Sequence, residues 1–322
     1  MPRRTSQSLQ FAQNWPSVII LSMLGVLYAP LLLHWVDGWL NKSISIEHEY
    51  YSHGLIGLPL AGYLAWSDRD RWHQLSNQTH LLGGICLVGG VLLYGMQLPD
   101  ALNLSLPLVL VGLCLWLKGI PGMRLMGFPL LLLGLATPTS IPYLLTAYTL
   151  PLQRLIAVVA ALILMQFGMD VRVEQIYLFV NGQIVEIAPY CAGLKMLFSS
   201  FYVGLILLYW TGAWASRGKT VMFLVSVVLV STTANIIRNT LLSYFHGTGR
   251  SQSFDWLHEG WGGDLYSACA LGLLVFLLRG VEWAIALWSP VPFSSDVASS
   301  DRNKPSSVKA IEATPSRSSS RR

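Results

Sequence analysis

The feature that most constrains the fold is a succession of apolar runs, each about 20 residues long and parted by short polar breaks, the length a helix needs to cross a bilayer. Charged residues make up only 11% of the 322 positions and hydrophobic ones 53%, against roughly 25% charged in a soluble domain. A water-soluble globule built from this chain would expose large apolar patches, whereas a helical bundle in lipid buries none of its backbone polar groups unpaired. The runs predict eight crossings, at 17–35, 51–66, 81–97, 101–117, one within 125–169, 192–210, 220–238 and 261–278. The expected fold is therefore an all-α polytopic membrane protein. The basic start MPRRTSQSLQFAQNW is followed by no small-residue cleavage site before the apolar stretch continues, so the first span reads as uncleaved.

Basic residues in short loops stay on the cytoplasmic side. Arg3 and Arg4, Arg69 and Arg71, Lys118 and Arg124, Arg217 and Lys219, and Arg279 fall in alternate loops, which sets both termini inside. The acidic residues Asp37, Glu47, Glu49, Asp100, Glu174, Glu186, Asp255 and Glu259 fall in the complementary outer loops. Of the two apolar candidates in 125–169, parity allows one net crossing, and the other is then in-plane or re-entrant; Arg154 favours the second as the span, yet also suits an interfacial helix. From Ser289 onward the chain is Ser/Pro-rich with a basic end, a composition that builds no core, so the expected division is a membrane domain at 1–288 and a disordered cytoplasmic tail at 289–322.

The stretch VRVEQIYLFVNGQIVEIAPY is rich in β-branched and aromatic residues around Asn181-Gly182, a pair that supplies the positive φ angles of a type I′ turn. It predicts a small outer hairpin, 172–180 folding back on 183–187. Two uses are open to it, a lid or an exposed strand edge for an extended peptide.

Chemistry concentrates at the same face. Cys86, Cys114 and Cys269 lie inside apolar runs as small hydrophobes, but Cys191 follows Ala188-Pro189-Tyr190 at the start of one, where Pro189 marks a helix beginning. Helix N-termini and nearby cations favour the thiolate, and Lys195 lies four residues on. Arg238 ends the run VMFLVSVVLVSTTANIIRN, whose last turns become polar, and a guanidinium suits an oxyanion. His258, in FDWLHEGWGGDLYS, has Asp255, Glu259 and Asp264 nearby to orient it, and an imidazole exchanges protons near neutral pH. Nucleophile, cation and acid/base at the outer ends of consecutive spans suit acyl transfer through a thioester. No Cys/His spacing fits a metal site and no other cofactor is indicated. No basic cluster interleaved with aromatics points to nucleic acid.

In that order, APYCAGLKMLFSS, STTANIIRNT and WLHEGWGG resemble the exosortase/archaeosortase family, as do YSHGLIGLPLAGYLAW, ATPTSIPYLLTAYTLPLQ and the eight-span plan. The resemblance implies a cysteine peptidase/transpeptidase of the cytoplasmic (inner) membrane with its active site on the extracytoplasmic face. Its partners would be membrane lipid and exported proteins carrying a C-terminal sorting signal: a motif such as Pro-Glu-Pro, a spanning helix and a basic tail. The family's Cys, Arg and His map onto Cys191, Arg238 and His258, with Cys191 forming the thioester and the other two donating a proton or stabilising the transition state. Cys-Ala-Gly-Leu-Lys stands here in place of the usual Cys-Ser-Gly-Leu-Arg, which puts a role for those neighbours in doubt, and is most similar to the cyanobacterial branch, cyanoexosortase B. A transporter and a non-catalytic component of polysaccharide export are the alternatives, and neither needs a reactive Cys191. A membrane-impermeant thiol reagent separates them: labelling is expected at Cys191 alone, from outside, and an unreactive Cys191 would favour the alternatives.

Overall fold

The computed structural model describes residues 4–40, 50–189, 193–258 and 260–288. One compact unit comprises Met1–Glu282 and a second Trp283–Arg322. The tail expected from Ser289 lies outside the described residues. In chain order, α1 (Arg4–Leu40) precedes α2 (Gly54–Ser67), the short α3 (Arg69–Gln74) and α4 (Leu81–Gly95). Then come α5 (Pro99–Ala136), α6 (Ile141–Thr146) and α7 (Leu150–Gln166), followed by strands β1 (Val171–Glu174), β2 (Tyr177–Val180) and β3 (Gln183–Glu186). Helices α8 (Leu194–Thr211), α9 (Arg217–Gly247), α10 (Ser251–His258) and α11 (Trp261–Trp288) follow.

Among the described residues, five stretches are long and apolar enough to cross a membrane: Ser22–Leu40, Pro99–Ala136, Leu194–Thr211, Arg217–Gly247 and Trp261–Ala284; α2, α4 and α7 are apolar but shorter. Burial is distributed as a lipid solvent requires. Large apolar side chains point outward, among them Val26 at 77%, Leu81 at 78% and Phe276 at 75% exposure. The interior between helices holds polar groups among large apolar ones such as Phe223 and Leu132; there Trp35 Nε1 donates to Asn103 Oδ1 (2.7 Å) and Tyr28 shares a hydrogen bond with Ser105 (3.0 Å). Lipid tails attract a Leu as well as another Leu does, so close backbone approach and interhelical hydrogen bonds hold such helices together.

Helix α5 is not one rod. Thirty-eight residues of straight helix span about 57 Å at 1.5 Å per residue, yet the Asp100 carboxylate accepts from both the backbone N–H (3.1 Å) and the hydroxyl of Ser140. A Cβ on Gly122 would lie 3.1 Å from the carbonyl oxygen of Cys114, eight residues back. The reversal is at Gly119, buried, with φ 60° and ψ −150°, a conformation open in practice to glycine alone. The element is thus a helical hairpin with arms on either side of Gly119.

With that hairpin, neighbouring segments alternate in direction. Along the second arm of α5 antiparallel to α8, Leu132 O accepts from Tyr202 Oη (3.0 Å) and Phe128 stacks on Tyr209 (3.8 Å). Gly204 of α8 faces Phe223 and Val227 of α9, and Tyr266 of α11 donates to Ala234 O of α9 (2.6 Å). The turns carrying Arg69, Arg71, Lys118, Arg124, Arg217 and Lys219 consequently gather at one end; there Lys118 Nζ donates to Leu75 O (2.6 Å). Gly193, Arg238 and His258 lie at the other.

The two candidates within 125–169 pack differently. The second arm of α5, through Ala136, continues the alternation, whereas α7 sets its buried face (Ile156, Ala157, Ala160, Ala161, Leu164) against Val171, Leu178, Val180 and Ile187 of the sheet region and Ile236 and Tyr244 of α9. Arg154, which favoured α7 as the span, lies exposed. The sheet differs from the expected single hairpin. Asn181 (φ 49°) and Gly182 (φ 82°) do turn β2 into β3, with Val180 opposite Gln183. A second two-residue turn, led by Gln175 at φ 59°, breaks the first limb so that β1 pairs with β2 across Glu174 and Tyr177, giving three strands.

The Gly119 reversal is testable. Gly119→Ala should destabilise the protein by about 1–3 kcal/mol, because its Cβ would need the glycine-only conformation and would sit 2.9 Å from Gln78 O. Gly127→Ala, in the second arm with nothing within 4 Å, should be neutral or stabilising by up to about 1 kcal/mol. Thermal unfolding in detergent measures both.

Candidate active site at the end of the bundle

Four elements meet at the end away from the basic turns: the start of α8, the last third of α9, α10 and the start of α11. The expectation that Cys191 stands in the first turn of a helix falls outside the described residues; helix α8 begins at Leu194, and Gly193 is its N-cap at φ 89°. Glycine is what sets this boundary, since the left-handed backbone cannot continue an L-residue helix. The first internal bond runs from Leu197 N–H to Gly193 O (2.8 Å). Cys191 and Glu259 lie outside the described residues, whereas Pro189 and Gly193 flank Cys191 on either side. The first N–H groups of α8, beyond Gly193, have no intrahelical acceptor, an environment that favours an anion.

Arg238 is half-buried on α9. Its Nη2 donates to the carbonyls of Leu257 (3.3 Å) and His258 (3.4 Å), the last two residues of α10, while its Nε is buried with no hydrogen-bond partner among the described residues. Carbonyls at a helix C-terminus have no intrahelical donor and carry the negative end of the dipole, so a guanidinium there is stabilised twice over. Gly263 lets the start of α11 pack on the end of α10, since a Cβ there would lie 2.8 Å from Leu257 O, and it sets α11 within ordinary contact distance of Arg238 Nη2 (3.5 Å from that Cβ position). Tyr266 ties α11 to α9 one turn below Arg238 through its bond to Ala234 O.

The ring of His258 is half-buried and stacks on Phe254 (5.1 Å, 14°), which in turn meets His246 of α9 at 5.5 Å. Arg238 and His258 are thus brought together directly. Asp255 contributes through its main chain, its carbonyl accepting from Gly260 N–H (2.9 Å). Lys195 is half-buried two residues past the N-cap. The other cysteines are free thiols, Cys86 and Cys114 half-buried and Cys269 exposed on α11. Among the described residues, no three His, Cys, Asp or Glu side chains cluster as metal ligands.

Sequence reasoning missed Asn235, which is buried one turn before Arg238 and lies against Gly193. A Cβ on Gly193 would come within 2.6 Å of both Cγ and Nδ2 of Asn235. The signal lay in STTANIIRNT, where an amide stands within an apolar helix on nearly the same face as Arg238. His246 was also missed, since a histidine at the end of a long helix reads as a surface residue.

The grip of Arg238 on α10 predicts a measurable effect. Arg238→Met should cost about 1.5–3 kcal/mol, the range for hydrogen bonds to a charged group, and hydrogen exchange should rise at residues 256–258; Arg238→Lys should fall between the two. Unaltered exchange in Arg238→Met would contradict the latch.

Comparison with curated proteins and with solved structures returns no match. The family described as transmembrane exosortase (Exosortase_EpsH) matches residues 35–276, a stretch that holds α2 to α10, Cys191, Arg238 and His258. The chain belongs to the transmembrane exosortase family.

Proposed function

We propose that this protein is a membrane-embedded cysteine transpeptidase, acting through Cys191, on exported proteins that end in a sorting motif, a spanning helix and a basic tail. The observation that carries the reading is the latch between Arg238 and the His258 main chain, three residues along α9 from an Asn235 packed on the Gly193 flank of the nucleophile loop. The Cys191 thiolate attacks the scissile carbonyl carbon. A C–S bond forms, and the carbonyl oxygen takes up negative charge beside the Arg238 guanidinium. Collapse breaks the C–N bond, and the His258 imidazolium gives the departing amine its proton. The acceptor nucleophile then attacks the thioester, surrenders its proton to His258 and restores the thiolate.

In this reading the chain crosses the bilayer eight times, through α1, α2, α4, both arms of α5, α8, α9 and α11. Helix α7 and the sheet lie at the outer surface, and both termini are in the cytoplasm of a cell with the site outside its inner membrane. Retention of basic loops on the cytoplasmic side supports that orientation. An apolar groove of about 500 Å³ between α9 and α11, lined in part by Leu229, Thr233, Ala270 and Leu273, reaches Ala234 and Tyr266 just below Arg238. It offers part of a spanning helix a lateral approach to the site. The Cys-Ala-Gly-Leu-Lys signature at Cys191 supports the cyanobacterial branch, cyanoexosortase B, and with it a Pro-Glu-Pro-like motif.

The experiment is co-expression with an exported reporter carrying Pro-Glu-Pro, a spanning helix and a basic tail. Cys191→Ser and Cys191→Ala should each let full-length reporter accumulate, with processing down at least about 1,000-fold as expected on removing a nucleophile. Processing at the parent rate in either variant would sink the proposal.

A further inference from the structure

The strands lie in the order β1-β2-β3, so β1 and β3 are the two edges of the sheet. Strand β1 lies against α7, with Val171 buried in one apolar cluster with Ile156 and Leu164. Strand β3 has no such cover: Gln183, Ile184 and Glu186 are exposed, Ile184 at 58%. In an antiparallel pair, the backbone groups of successive residues point alternately toward the partner strand and away from it. Ile187 N–H donates to Ile176 O (2.9 Å), continuing the register that sets Val185 opposite Leu178 and Gln183 opposite Val180. The backbone groups of 183, 185 and 187 therefore face β2, and those of Ile184 and Glu186 face outward. Among the described residues, nothing pairs with these outward N–H and C=O groups. The sheet is also firmly seated, unlike a hinged lid. Leu178 and Val180 are fully buried, and Asn181 Nδ2 donates to Gly247 O at the end of α9 (3.3 Å). Ile187 shares its apolar cluster with Ile236, two residues before Arg238 on α9.

We propose that the free edge of β3 takes the substrate as a fourth strand: an extended segment of the exported polypeptide pairs with the backbone of Ile184 and Glu186. The inference rests on the transpeptidase reading and adds to it how the sorting-motif segment is held. A row of alternating N–H and C=O groups is matched by another extended backbone, and main-chain pairing of this kind gives affinity with little demand on side chains. Lipid offers no such row. A second copy of this chain would offer one, but the edge is only four residues long, roughly 13 Å, between the Asn181-Gly182 turn and the buried Ile187. That length suits one peptide segment and falls well short of the ~1,200 Å² that stable association between proteins buries.

The test uses full-length Cys191→Ala protein in detergent, loaded with the reporter carrying Pro-Glu-Pro, a spanning helix and a basic tail, and reads amide hydrogen exchange residue by residue. Exchange at Ile184 and Glu186 should slow at least about 10-fold on loading, whereas Val185 and Ile187, already paired with β2, should change little. A second arm uses Ile184→Pro in the protein with Cys191 intact. It removes one outward N–H, and proline is tolerated on an edge strand where its nitrogen faces away from the sheet. It should raise KM about 10-fold, the upper end of what one hydrogen bond contributes, with kcat changed less than about 3-fold. Ile184→Val, which keeps the N–H, should leave both near the parent values. Should Ile184→Pro lose thermal stability, the exchange measurement, made on an unaltered sheet, decides alone.

Unchanged exchange at residues 184 and 186 in the loaded protein would overturn the proposal. So would equal protection by a reporter that keeps the spanning helix and basic tail but lacks the segment before them. Protection that needs no reporter and grows with protein concentration would give the edge to a second copy, which overturns it as well. Should Cys191→Ala process the reporter at the parent rate, the transpeptidase reading falls instead. Exchange at the β3 edge needs no turnover and still decides whether the chain is bound there.

Discussion

Hydrocarbon offers no hydrogen-bond partner, so a polar group that enters the bilayer region of this chain is costly unless it is paired within the protein. That constraint explains why the molecule is arranged with leucine, valine and phenylalanine outward and with glycine, serine and asparagine between helices. It also explains where chemistry can reside. Ordered polar side chains accumulate along α9, where the ladder from Ser231 to Ser243 rises toward the end at which Arg238 meets α10. Small residues let α4 approach α5 and Gly193 approach Asn235.

The bundle was largely legible because lipid imposes a length and a hydrophobicity that show directly in sequence. The reversal after residue 117 was legible, since Lys118 and Arg124 mark a basic loop between the span 101–117 and the candidate from 125; periodicity did not show that a single residue, Gly119, makes the turn with helix on both sides of it. The competition between the second arm of α5 and α7 escaped for a related reason. Both are apolar and of similar length, and what separates them is a tertiary fact, the seating of Ile156, Ala160 and Leu164 on a sheet. Asn181-Gly182 announced its turn through composition. The turn at Gln175 had no such signal, because a glutamine in left-handed conformation is tolerated only where strands on both sides hold it.

For the site, the convergence of Arg238 and His258 followed from parity of the spans, which requires only that loops be assigned to the correct side. Their contact is nevertheless made by the His258 main chain, a detail no side-chain inventory contains. Asn235 was overlooked because an amide near a helix end reads as interfacial. Its significance comes from a close approach to Gly193 that depends on the crossing of two helices.

The bond between Arg238 and the terminal carbonyls of α10 makes a guanidinium and an imidazole parts of one mechanical assembly. Removing the arginine releases the helix end on which the histidine stands, so an alanine scan would score a single loss twice and overstate what either side chain contributes. Evolutionary drift is subject to the same linkage: a change in the length or pitch of α10 would have to be matched on α9, and the two segments are tied as a joint unit of inheritance.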